Sequence, residues 1–213
     1  QLNDGVVQAR RIYGQNTTGT NILFLNGGTI LNRDSRGDFI FNLDWAYVQS
    51  GGARFNILSN TVVTAAQPLL ADPDSAGGGL TKVGNGTLVL RGANTFTGDI
   101  AVQAGLLCLS NEAALPAGYA GTVSVSEGAA AGYAKAGGVA ELLPLVDTSS
   151  AGSLTLFAMN ANEAVDFSAF PNLSLAFANT FGTFTYTGTY TPFGGNYSFA
   201  PQTAGGTFSQ SIA

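Results

Sequence analysis

The sequence predicts an all-β chain built as a solenoid of short stacked strands, and three observations carry that expectation. Apolar and polar residues alternate over runs of only a few positions, and glycine or asparagine cuts off each run. Across 213 residues, 29 glycines and 45% hydrophobic residues accompany only 10% charged residues, the balance of many short strands joined by tight turns. A strand of about four residues buries too little to stand alone, so such strands gain stability by stacking successive copies on a shared core.

The chain opens on Gln1-Leu2-Asn3-Asp4, with neither an initiating Met nor a basic stretch leading into an apolar one, and so reads as a mature or excised piece of a larger protein. From Val6 to Thr64 a few alternating residues and a turn recur. Asn21 to Leu25 ends at Asn26-Gly27-Gly28, Thr29 to Leu31 ends at Asn32, Phe39 to Phe41 follows a charged loop, Ala53 to Ile57 follows Gly51-Gly52, and Thr61 to Thr64 is similar. Gln67 to Ser75, with Pro68 and Pro73, reads as an excursion from the ladder. The grammar is clearest over Gly77 to Gly118. Thr87 to Leu90 alternates after Asn85-Gly86, Ile100 to Val102 alternates again, and Leu107 and Leu109 resume the apolar row after Ala104-Gly105. Alanine and glycine dominate between Val123 and Ala140, predicting thinly packed rungs, and Val139 to Leu143 before Pro144 has room for one helical turn.

The final third changes character. No positive charge follows Lys135, and no charge of either sign follows Asp166. Strands are expected near Leu154 to Ala158, Leu173 to Phe177, Thr183 to Thr187 and Tyr197 to Phe199, with no helix of ordinary length anywhere. The chain thus divides into solenoid rungs over 1–141 and an aromatic-rich β continuation of the same solenoid over 142–213. Gly205 to Ala213 carries no charge or proline to blunt a strand edge, so that end is expected to be covered by a further rung or by an identical chain stacked head to tail.

The stretch at 77–118 resembles the autotransporter-associated β-strand repeat of bacterial surface and secreted proteins. The positions that carry the likeness are Gly78 to Lys82, Gly84, Gly86 to Leu88, Leu90, Gly92, Asn94, Thr95, Thr97, Gly98, Val102, Gly105, Leu107 and Leu109. Phe96 stands where the pattern usually has Tyr, Asp99-Ile100 replaces a Gly/Thr step, and Leu106 and Cys108 occupy positions that are commonly polar. The resemblance implies a right-handed parallel β-helix, exported to the cell surface or exterior, whose repeat contributes no catalytic residues. Alternation then places Leu88, Leu90, Ile100, Val102, Leu107 and Leu109 in one core, with Thr87, Val89, Ala101, Leu106 and Cys108 outside. Cys108 becomes an outward thiol.

Composition narrows the chemistry. Histidine is absent, which removes the usual general base, the Ser/His/Asp triad and most transition-metal sites. The nine Asp and four Glu follow no repeating spacing, so neither a catalytic pair nor a cofactor or metal site is expected. Asn32 to Asp38 superficially matches a calcium loop, but Arg36 stands where an oxygen ligand is needed. Asp72 and Asp74 read as caps of their own loop. Arg36-Gly37-Asp38 spells an integrin-binding tripeptide and, placed in a charged hairpin-like loop, is the one candidate binding site. Lys82 and Arg91 are expected outside, as solubilising charges. A net charge of −5 and a pI near 4.4 exclude a footprint for nucleic acid, and no long uncharged apolar run offers a membrane span. One cysteine allows no internal disulfide.

Two functional classes remain. The first is a non-catalytic structural or adhesive section of a surface β-solenoid, partnered by neighbouring rungs or stacked copies. The alternative is an extracellular β-helix that binds or cleaves polysaccharide, in which several acids or aromatics converge on one groove.

Overall fold

A computed structural model describes residues 1–15, 18–116, 118–157, 160–177, 183–200 and 207–210. Its paired strands run parallel, and successive turns of chain stack as coils of a β-solenoid. Early coils contribute one short strand to each of three sheets. A four-stranded sheet holds Leu2–Asn3, Ile22–Asn26, Trp45–Val48 and Leu70–Ala71. A six-stranded sheet runs from Val6–Ala9 to Val123–Val125. An eight-stranded sheet runs from Ile12–Tyr13 to Ser174–Phe177. Thr87 pairs with Leu106, 19 positions on, whereas Ala53 pairs with Leu80, 27 positions on. The strands therefore set the stacking, and the connections absorb differences in coil length.

Alternation determines which side chains enter the core. Leu88, Leu90, Ile100, Val102, Leu107 and Leu109 are all buried in one continuous cluster with Leu80, Val63 and Phe55, while Thr87, Val89, Ala101 and Leu106 between them remain partly exposed. Each such Leu or Val, fully buried, contributes about 1.5–3 kcal/mol. Gly105 makes the corner between the six- and eight-stranded sheets. Its φ of 67° lies in the left-handed region, and a Cβ there would collide with the carbonyl oxygens of Gly86 and Gly84.

Over Arg91 to Asp99 the coil has no third strand, and a buried asparagine brackets its neighbours instead. Asn94 accepts the Leu69 amide at 2.9 Å and donates to the Ala114 carbonyl at 2.8 Å, linking the coil before to the coil after. Phe96 is fully buried edge-on against Tyr119, whose hydroxyl donates to the Gly98 carbonyl at 2.7 Å. A phenol at position 96 would have to bury its own hydroxyl there.

Several expectations need correction. The 67–75 segment is more than an excursion, because Leu70–Ala71 pairs with Tyr47 and Val48 once Pro68 is passed. The alanine-rich rung is not thin: Ala129–Tyr133 ends on a fully buried tyrosine, and the short helix Gly138–Leu142 buries Val139 and Leu142 beside it. The side-chain carboxylate of Glu163 accepts the Ala140 amide at 2.7 Å, tying that helix to a later coil. Tyr197 to Phe199 forms no strand, only a bridge from Phe199 to Leu175. Beyond the helix, Asn160–Ala161, Thr183–Tyr186 and Thr207–Gln210 stack in one small sheet, and Val165–Asp166 and Tyr190–Thr191 in another. The expectation of a covered end at 205–213 falls mostly outside the described residues.

Candidate functional site

Arg36, Gly37 and Asp38 lie at the start of the strand Arg36–Phe41, not in a hairpin loop. A parallel solenoid has no hairpin to offer here, and the register slips between Arg36 and Ile40, which turns the charged end of the strand outward. Both charged side chains are engaged. Arg36 Nε donates to Asp34 at 2.9 Å, Arg10 closes on the other carboxylate oxygen of Asp34 at 2.8 Å, and Arg11 pairs with Asp38 at 2.8 Å. Arg10, with help from Arg36, holds the Asp34 carboxyl below its ordinary range. The cluster is a half-exposed clamp between the first two coils, and exposed ion pairs of this kind contribute little to stability. It provides one shared carboxylate rather than a ligand set for calcium.

Cys108 is not an outward thiol in the sense expected. Its parity is outward, opposite Leu107 and Leu109, but it is only 6% exposed. It sits between Val89 and Gly132 in the ladder, and the ring of Phe157 lies over Gly132 so closely that a Cβ there would clash. Burial pushes the thiol pKa up to about 11, which leaves it protonated and inert at neutral pH.

Lys82 reverses its expected placement more completely. It shares its side of the strand with Leu80, stacks between Phe55 and Val102, and is 0% exposed. Among the described residues no carboxylate faces it. Its ammonium donates instead to three carbonyl oxygens, of Gly84 at 2.6 Å, Ala104 at 2.9 Å and Val83 at 3.1 Å. Lys82 therefore joins the turn of its own coil to the turn of the next, and burial lowers its pKa to about 8. Arg91, by contrast, is exposed as expected.

Asp72 accepts Gln49 Nε2 at 2.6 Å and the Asp74 amide at 2.9 Å, which makes it a loop cap. Among the described residues no group of three or more His, Cys, Asp or Glu side chains is placed to hold a metal ion, and no helix is long and apolar enough to cross a membrane. A surface groove runs along the outer face of the eight-stranded sheet, between the Asn85 and Gly128 turns and Phe199. Sequence reading missed it because its floor consists of unremarkable residues from six successive chain segments.

The fold and these sites define a parallel β-solenoid whose polar groups serve mainly to join one coil to the next. Residues 80–107, the two coils tied by Lys82, match the model of the passenger-associated-transport-repeat, so the chain carries an autotransporter passenger repeat. The chain is also similar to the adhesin BmaC autotransporter of Brucella suis biovar 1 (strain 1330), 40% identical over 79 residues, which is 37% of this chain and 2% of that protein. It thus spans a small fraction of the length of the relative it matches. No solved structure matches the chain.

Proposed function

We propose that this chain is a non-catalytic adhesive section of a bacterial surface or secreted protein, a stiff spacer whose outer faces present contacts to a host or neighbouring surface. The observation that carries this reading is the position of the passenger repeat. Residues 80–107 supply strands to both long sheets of the stacked coils, so the repeat is part of the continuous solenoid. The name of the Brucella relative supports adhesion, and the dispersed carboxylates give no support to sugar cleavage.

Binding of the fluorescently labelled 213-residue chain to cultured epithelial cells tests the proposal. Saturable binding without release of soluble sugar is expected. Binding no greater than that of an unrelated β-solenoid, or steady sugar release, would overturn it. An Asp38→Ala variant asks whether the tripeptide takes part: if adhesion runs through Arg36-Gly37-Asp38, cell binding falls sharply, whereas a clamp between coils leaves it unchanged.

A further inference from the structure

We infer that the outer groove of the eight-stranded sheet is a binding site for a neutral oligosaccharide, an inference that rests on the adhesive reading above and names its ligand class. The groove encloses about 620 Å³, within the range of ordinary ligand sites. Its floor is the outward row Thr87, Leu106, Ala130, Ser153, Ser174 and Ser198, one residue from each of six stacked chain segments. At about 4.8 Å per step this row extends roughly 24 Å along the solenoid, the shape of a slot for a linear chain.

The lining chemistry selects the ligand. None of the described residues around the groove is charged, although the protein as a whole carries −5. An anionic ligand would lose its hydration there without gaining a cation. A wholly apolar ligand would cover the hydroxyls of Thr87, Ser153 and Ser174, of which the last two already share one hydrogen bond at 2.8 Å. A peptide strand cannot add to this face, because the floor's backbone groups pair within the sheet and only a free edge accepts a strand. A neutral sugar chain meets each condition, since its hydroxyls match the serine and threonine oxygens while its C–H faces lie on Leu106, Ala130 and Phe199.

One buried group points the same way independently. Thr155 projects to the groove side of its strand, between inward Leu154 and Leu156, and is only 3% exposed. Among the described residues its hydroxyl oxygen has no hydrogen-bond partner. Buried hydroxyls are almost always satisfied, and a ligand hydroxyl seated in the groove supplies the missing partner.

The test is an array of neutral hexose and N-acetylhexosamine oligosaccharides, printed beside sialylated and uronic-acid glycans and probed with three forms of the full 213-residue chain. Wild type is expected to bind a subset of the neutral glycans and none of the acidic ones. Ala130→Trp, which fills the floor from outside the core, should weaken that binding more than tenfold. Thr155→Val, which keeps the side-chain volume, should weaken it about five- to tenfold, the loss of one hydrogen bond, while its melting temperature stays level or rises. Preference for acidic glycans, no glycan binding, or unchanged affinity in both variants overturns the inference. The parallel cell-binding measurement separates the two claims. A chain that binds cells but no neutral glycan refutes the groove alone, one that binds neither refutes both, and one that binds glycan but no cells refutes the adhesive reading.

Discussion

Replacing Lys82 by methionine removes one positive charge from the interior of the solenoid while leaving the side-chain volume nearly unchanged. In the native protein the ammonium bonds the carbonyls of Gly84, Ala104 and Val83 with no exposure to solvent. A hydrogen bond to a charged group is worth about 1.5–3 kcal/mol, so losing three amounts to roughly 5–9 kcal/mol gross. Methionine regains the several kcal/mol that burying an ammonium without a carboxylate costs. The net destabilisation is then about 2–4 kcal/mol, or roughly 5–15 °C in Tm for a chain of this size. Urea unfolding followed by far-UV circular dichroism measures it, and the pH dependence gives a second check. The folded pKa, lowered by burial to about 8, lies below the ordinary value of 10.5. Below pH 8 both states hold the proton and the contribution is constant; between pH 8 and 10.5 the unfolded chain binds more, so this group's contribution to stability rises with pH. The wild-type advantage over Lys82→Met should therefore widen across that window. Cys108 acts the other way, because its raised pKa costs stability as pH climbs through 9 to 11, but it is present in both proteins and cancels in the difference. A variant at least as stable as wild type would refute the three-carbonyl clamp, and an advantage that shrinks above pH 8 would contradict the lowering of the Lys82 pKa by burial.

Other substitutions probe separate parts of the structure. Asn94→Ala should cost about 2–4 kcal/mol by leaving the Leu69 amide and Ala114 carbonyl without their bracket; a loss under 1 kcal/mol in thermal unfolding would show that the bracket contributes little. Leu90→Asp should cost several kcal/mol and Val89→Asp less than about 1, since only the first buries an unpaired charge; equal losses would contradict the inward and outward assignment. Maleimide should label Cys108 slowly in the folded chain and rapidly in urea; fast labelling of the folded protein would show the outer face to be open there.

Much of this architecture is legible in the sequence because a β-coil needs only period-two alternation and turn residues. Leu88, Leu90, Leu107 and Leu109 declare the core, and Gly105 declares the corner. What failed to show depends on neighbours one coil away. Lys82 has the parity of Leu80, so its inward direction was readable, but the three carbonyls that make burial tolerable come from a turn and from the following coil. Cys108 has outward parity, yet it is buried beside its ladder partner Gly132, over which the ring of Phe157, 49 positions on, lies. Asn94 looks like a strand breaker until Leu69 and Ala114 are seen on either side of it. The groove was invisible for the same reason, since no local pattern reveals that Thr87, Ala130 and Ser174 share a floor.

The role proposed for this solenoid is to hold surfaces together without chemistry. Its most direct test is to display the 213-residue chain on a bacterium that otherwise lacks adhesins and to count cells retained on an epithelial layer under flow, with soluble reducing sugar measured in the effluent. Retention well above that of the undecorated bacterium, with no sugar released, is the predicted result. Retention equal to the undecorated control, or retention accompanied by steady sugar release, would contradict it.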